Sequence, residues 1–290
     1  MEQWPAYRAG FALDITLYGR TGMVRALDTL SAIDRRVLEF TQEPANALLR
    51  PLTRSFCTPF RGTLFGRSTL VDVQSELSRR PVAALVLGTN PSIANANDSK
   101  FRSMQEHIAG GLYGETYWNS DGTPRAGWQS SQSWRWERQQ YEPLRAAGVP
   151  LDEVAFANYV PWGSPENAKN LVKAMEPALL RRVIGLADEI FLRMLKLLRP
   201  RIVVAQASIS NNLPHGTVAR HRETARRGSV RYQTKRGDTR TFNYDVGPLS
   251  VDGMSIQVLH VPHPSSWKMS TPSRDLVVDQ LTAEVRKLLS

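Results

Sequence analysis

The sequence predicts an α/β fold: a three-layer α/β/α sandwich around a central, mainly parallel sheet, preceded by a helical extension. Three observations carry this expectation. Strand-length apolar runs, such as 82–87 and 202–205, are each cut short by Gly, Pro, Asn or His. Segments of helical period lie between the runs. The chain-breaking residues fall just after the runs, at their carboxyl ends. Continuous apolar runs are the pattern of strands covered on both faces, and their alternation with helices implies crossover connections. In such sheets ligands bind off the carboxyl ends of the strands.

Residues 1–78 read as a helical N-terminal extension. The segment 31–40 places Ile33, Val37, Leu38 and Phe40 on one side of a helix, 48–55 is a second short candidate, and 55–67 is a connection. From residue 79 the pattern changes to that of the main domain, 79–290. Val82–Leu87 is a buried strand broken by Gly-Thr-Asn-Pro. Residues 94–140 are polar and rich in Asn, Ser, Gly and Trp, as in an active-site loop with short helices. Val154–Val160 is a second strand, closed by Pro161-Trp-Gly-Ser-Pro. Leu179–Leu198 has helical periodicity, and Pro200 stops it. Arg201–Ala207 is a third strand and Ser255–Val261 a fourth, ended by Pro262-His-Pro. A final helix is predicted over 273–288.

The chain has 290 residues, 41% hydrophobic and 22% charged, as in ordinary globular proteins. No stretch approaches the roughly 20 apolar residues of a membrane span. The opening residues lack a basic start followed by an apolar block, so no secretory signal is expected, and a cytoplasmic location is. The single cysteine, Cys57, excludes an intramolecular disulfide and a cysteine-ligated zinc or iron–sulfur site within one chain. A buried structural thiol is the expected reading of Cys57. The net charge of +10 favours a polyanionic partner. That charge is uneven. Between residues 220 and 240 stand Arg220, Arg222, Arg226, Arg227, Arg231, Lys235, Arg236 and Arg240 against Glu223 and Asp238. Lys235-Arg-Gly-Asp-Thr reads as a hairpin turn between two alternating strands. Such a ribbon, within a basic insertion at about 212–250, either lies along a phosphate backbone or is a solvated surface insertion.

Two motifs bring a family into view. Leu85-Val-Leu-Gly-Thr-Asn-Pro-Ser and Leu259-His-Val-Pro-His-Pro-Ser-Ser-Trp, each a strand followed by its break, resemble the first and second motifs of the uracil-DNA glycosylase superfamily. Phe156-Ala-Asn-Tyr-Val-Pro-Trp resembles the strand that carries that family's base-reading Asn. Pro200-Arg-Ile-Val-Val-Ala-Gln resembles the strand before its long insertion. The resemblance spans roughly residues 80–290. It implies hydrolysis of an N-glycosidic bond in DNA, with no metal or organic cofactor, and a monomer was the expected state.

The chemistry explains the residue types. The bond breaks through an oxocarbenium-like sugar with a departing anionic base, so water must be held on one side and the base oxygen stabilised on the other. By resemblance Asn90 positions the water. An amide orients water but takes no proton from it, as in the mismatch-specific and single-strand-selective branches, whereas the main uracil branch carries Asp. Ser92 stands where that branch has a pocket-blocking Tyr, which implies a more permissive pocket, with Gly88 and Ser92 as base-binding candidates. His263 would donate a hydrogen bond to the leaving base as a neutral imidazole. The mismatch branch often has Asn there. Asn158 would read the Watson–Crick edge of the flipped base. Phe101 is the candidate for stacking on it, with Tyr113 and Trp118 as competitors. Trp267 would fill the gap left by the extruded nucleotide, with ordinary packing as the other reading. Ser265, Ser266 and Lys268 would grip phosphates. Arg231, Lys235 and Arg236 of the ribbon would add charge. Trp134 and Trp136, beside Arg135 and Arg138, read as core aromatics, with stacking against nucleic acid as the other reading.

No lysine is placed for Schiff-base chemistry, so strand cleavage is not expected. The excised base stays open among uracil, mismatched thymine and a hypermodified phage cytosine such as glucosylated hydroxymethylcytosine, the last implying antiviral defence. Two other readings remain: a non-catalytic nucleic-acid-binding protein of the same fold, and an enzyme of small nucleosides, which leaves the basic ribbon unexplained.

Overall fold

The computed structural model describes residues 36, 39–40, 43–49, 60–61, 82–89, 142–150, 153–160, 172–263, 267 and 269–290. Among these, seven strands form one mixed sheet: β1 (Phe60–Arg61), β2 (Ala84–Gly88), β3 (Val154–Asn158), β4 (Ile202–Gln206), β5 (Arg226–Gln233), β6 (Thr239–Val251) and β7 (Met254–Val261), in the order β1-β3-β2-β4-β7-β6-β5. The helices are α1 (Pro177–Leu198), α2 (Ala207–Asn212), α3 (Thr217–Thr224) and α4 (Thr271–Leu289). Most of the N-terminal extension lies outside the described residues. Within it, Pro44–Leu49 forms a 3₁₀ turn where a helix was expected slightly later. Among the described residues no helix is long and apolar enough to cross a membrane.

The four apolar strands behave as their sequences require. β3, β2, β4 and β7 lie parallel and adjacent. Every residue of β2 and β4 is buried, because these central strands are covered on both faces. Alternate side chains point to opposite faces. Leu85, Leu87, Val203, Ala205, Ile256 and Val258 pack with Val183, Ile190, Phe191 and Met194 of α1. Ala84, Val86, Ile202, Val204, Leu259 and Val261 pack with Val277, Leu281 and Val285 of α4. Each Val, Leu, Ile, Phe or Met among them, fully buried, contributes about 1.5–3 kcal/mol.

α1 begins at Pro177, whose missing N–H is one the first turn leaves unbonded anyway. It ends at Arg199, left-handed at φ 45°, whose N–H bonds the Leu195 carbonyl at 2.8 Å before Pro200.

The sheet is mixed around a parallel centre: β3, β2, β4 and β7 are parallel neighbours, and β1–β3, β7–β6 and β6–β5 are antiparallel pairs. The basic segment is part of the same sheet. Its hairpin forms as expected, with Val230 opposite Phe242, and β6 pairs along β7 and carries the sheet outward. The alternation of β5, exposed outside and buried at Val230 and Tyr232, marks an antiparallel strand with one face on the core.

Candidate functional site

The carboxyl ends of β3, β2, β4 and β7 lie side by side, and polar residues succeed the apolar runs there. Asn158 is the register partner of Gly88. Beyond them the chains remain joined: Tyr159 N–H donates to the Gly88 carbonyl at 2.8 Å and Val160 N–H to that of Thr89 at 2.9 Å. Asn158 is only 1% exposed, and its Oδ1 has no hydrogen-bond partner among the described residues. A buried amide oxygen left unbonded costs on the order of 1–3 kcal/mol, so its burial at this edge asks for a reason.

Gln206, the last residue of β4, holds the exit of β2. Its Oε1 accepts from Thr89 N–H at 3.3 Å and from Thr89 Oγ1 at 3.4 Å. Ser208 joins them, 2.7 Å from Thr89 Oγ1 and 3.4 Å from Gln206 Oε1. This network fixes the residue immediately before Asn90. It escaped the sequence reading, although Gln206 ends an apolar run just as Asn158 does.

Tyr159 anchors the same region. It is fully buried, its hydroxyl donates to Asp188 of α1, and burial followed by the Asp188 charge raises its pKa. Asp188 also accepts from Thr217 N–H at 2.8 Å at the start of α3. A Cβ at Gly216 would sit 2.7 Å from the Tyr159 hydroxyl, which explains a glycine there.

His263 follows β7 by two residues and is half-buried; burial lowers its pKa below the ordinary 6.5, so the imidazole is neutral at pH 7. The expected donor state is therefore the one the surroundings favour. Asn90, Ser92, Phe101, Ser265, Ser266 and Lys268 lie outside the described residues, as do Tyr113, Trp118, Trp134, Trp136 and Cys57.

Of the two readings of Trp267, a wedge or ordinary packing, its surroundings favour packing. It is 8% exposed, its Nε1 donates to the Pro262 carbonyl at 3.1 Å, and its ring stands edge-on to Phe242 with centroids 5.1 Å apart. It lines a small, wholly apolar gap with Val204, Leu259, Val261, Leu281 and Val285. Packing is the role this geometry gives it.

A buried polar cluster beneath the same edge also escaped the sequence reading. His221 of α3 and His260 of β7 stack with ring centroids 5.2 Å apart, His221 Nδ1 lying 2.9 Å from His260 Nε2. His221 Nε2 is 3.1 Å from the Gly247 carbonyl. A carbonyl only accepts, so Nε2 carries the hydrogen and Nδ1 is bare. His260 must then donate from Nε2, which leaves its own buried Nδ1 as a bare, unpartnered lone pair. Burial, then the neighbouring His221 and the Arg222 charge, push His260 down to about 3 against the opposing pull of Asp245. Burial also lowers His221, opposed by its bonds to the Gly247 and Pro248 backbone. Asp245, opposite His260 in the β6–β7 register, is buried between Arg222 at 2.7 Å and Arg227 at 3.0 Å. Burial pushes its carboxyl up, but the two guanidiniums outweigh it and hold the pKa below the ordinary value.

The basic ribbon divides in two. Arg220 pairs with Asp188 at 3.8 Å, Arg222 and Arg227 with Asp245, and Arg226 with Glu284 at 2.7 Å. Arg231, Lys235, Arg236 and Arg240 are exposed, with no carboxylate within 4.0 Å among the described residues. Comparison with protein-family models and with curated proteins returns no match for this chain.

Proposed function

We propose that the chain is a monofunctional DNA glycosylase of the uracil-DNA glycosylase type, built as a three-layer α/β/α sandwich, which flips a pyrimidine from DNA and hydrolyses its glycosidic bond to leave an abasic site. The single observation that carries this reading is Asn158: a buried amide with an unbonded oxygen, at the carboxyl edge of the parallel strands, beside Gly88. A flipped base presents hydrogen-bonding groups that would satisfy such an amide. The neutral His263 at the exit of β7 supports it, since a donor to a departing base needs a hydrogen rather than a charge. The Gln206–Thr89–Ser208 bonds support it as well, since they hold Thr89, the residue before the water-orienting Asn90 of this reading. The two helices packed on opposite faces of the sheet support the layered architecture.

The substrate is a damaged, mismatched or hypermodified pyrimidine. Ser92 in place of an aromatic favours a bulky base, and with it a role in defence against phage DNA. The test is incubation with duplex and single-stranded oligonucleotides carrying uracil, thymine opposite guanine, or glucosylated hydroxymethylcytosine, with mass-spectrometric detection of free base. Release of one of these by wild type and its loss in Asn90→Ala is the expected result. Release of uracil alone would overturn the defence role. DNA binding without release of any base would leave a non-catalytic nucleic-acid-binding protein.

A further inference from the structure

The direction of the strands decides where the ribbon's turn lies. β6 is antiparallel to β7, and β5 is antiparallel to β6. β5 therefore runs the same way as β7, β4, β2 and β3, and its carboxyl end, Gln233, falls at the same edge as Asn158, Gln206 and His263. The turn at 234–238 thus lies at the candidate active-site edge rather than at the opposite one.

The register adds a distance. The last pair between β6 and β7 is Asp245 with His260. β6 from Thr239 to Tyr244 has no β7 partner, and at about 3.4 Å per residue it projects roughly 20 Å past that pair. One face of this overhang is buttressed. Phe242 meets Trp267, Thr234 bridges to Met269, Ser270 N–H donates to the Gln233 carbonyl at 3.1 Å, and Gln233 N–H donates to Ser273 Oγ at 2.9 Å. On the other face Ser229, Arg231, Gln233, Thr241 and Asn243 are exposed. The cations divide along the length of the ribbon, Arg231 lying on that open face, Lys235 and Arg236 in the turn, and Arg240 opposite Tyr232. Those at the base of the ribbon are committed to Asp188, Asp245 and Glu284, whereas Arg231, Lys235, Arg236 and Arg240 on the overhang are not paired, and only Asp238 opposes them there.

We infer that the projecting half of the β5–β6 ribbon is a rigid phosphate-binding arm that engages nucleic acid up to about six base pairs from the candidate active site, at 3.4 Å of rise per pair. Uncommitted cations interleaved with hydroxyl and amide side chains suit phosphate oxygens, and the absence of exposed apolar side chains on this face of the described ribbon disfavours a protein partner. Trp267 serves the arm as a positioning residue through Phe242. The inference rests on the DNA reading above, but its test does not require base release.

The test is fluorescence-anisotropy titration of unmodified duplex DNA over a range of salt, comparing wild type with a combined Arg231→Gln, Lys235→Gln, Arg236→Gln, Arg240→Gln variant. Each neutralised phosphate contributes about 0.9 to the slope of log K against log salt, so the variant's slope falls by about 3 if most of the four cations engage. A variant with Lys and Arg exchanged at these positions keeps the slope. Because the four side chains are exposed and unpaired, thermal melting of the Gln variant matches wild type. An unchanged slope overturns the arm, as does charge-dependent binding to phosphatidylserine vesicles in place of duplex. A fallen slope without base release on any substrate keeps the arm and removes the glycosylase reading. Base release with an unchanged slope does the reverse.

Discussion

Replacing His260 by glutamine is expected to flatten the acid side of the stability profile. In the native protein both imidazoles of the His221–His260 pair are neutral, because His221 donates to Gly247 and accepts from His260. A proton on His260 would be buried beside His221 and Arg222, with Asp245 already engaged by Arg222 and Arg227. Its pKa therefore falls from 6.5 to about 3 on folding. The sign follows from proton binding. Below pH 6.5 the unfolded chain takes up a proton that the folded one refuses, so the contribution is complete above 6.5 and is lost as pH falls toward 3. The loss is about 1.4 kcal/mol per pH unit, hence about 2 kcal/mol between pH 6.5 and 5 from His260. Asp245 and Glu284, whose pKa values lie below their ordinary 3.8 and 4.5, give up their contributions only under more acidic conditions. His263, whose pKa burial also lowers, is present in both proteins, so it cancels in the difference. Glutamine can still donate to His221 Nδ1 and cannot be protonated. Urea denaturation followed by tryptophan fluorescence and far-UV circular dichroism, repeated from pH 7.5 to 5, should show His260→Gln less stable at neutral pH but shallower by about 2 kcal/mol across the window. Equal acid slopes in the two proteins would refute the neutral, tautomerically fixed pair.

Three further outcomes are expected. Trp267→Ala should destabilise by about 3–5 kcal/mol, and Trp267→Phe by less, measured as urea midpoints; an unchanged midpoint with weakened DNA binding would restore the wedge. Gly228→Ala should cost about 1–3 kcal/mol, since its Cβ would lie 2.1 Å from the Tyr244 ring, whose hydroxyl is held by Glu284 at 3.3 Å and Gln280 at 3.2 Å; near wild-type melting would show that the ring yields freely. Asp245→Asn should cost about 3 kcal/mol at neutral pH, because it strands the half-buried Arg222 without its counter-charge, and thermal melting at pH 7.5 checks it.

What the sequence by itself determined is what local pattern encodes. The continuous apolar runs of β2 and β4 announce strands covered on both faces. The period of 179–198, bounded by Pro200, announces α1, and Gly237 between alternating segments announces the hairpin turn. The same logic placed Gly88, Asn158 and His263 at strand ends, and applied once more to Val-Val-Ala-Gln it would have found Gln206. Local pattern also reports that residues 220–240 are basic, but not which cations are already satisfied. That depends on carboxylates 18 residues away at Asp245 and 58 residues away at Glu284. Likewise His221 meets His260 across 39 residues, and Trp267 turns inward because Phe242 stands across from it. Only the tertiary structure decided these, for one physical reason. Periodicity records how often a side chain meets the interior, whereas an ion pair, a tautomer or the overhang of a ribbon depends on strand register. Register is set by the packing of distant segments together.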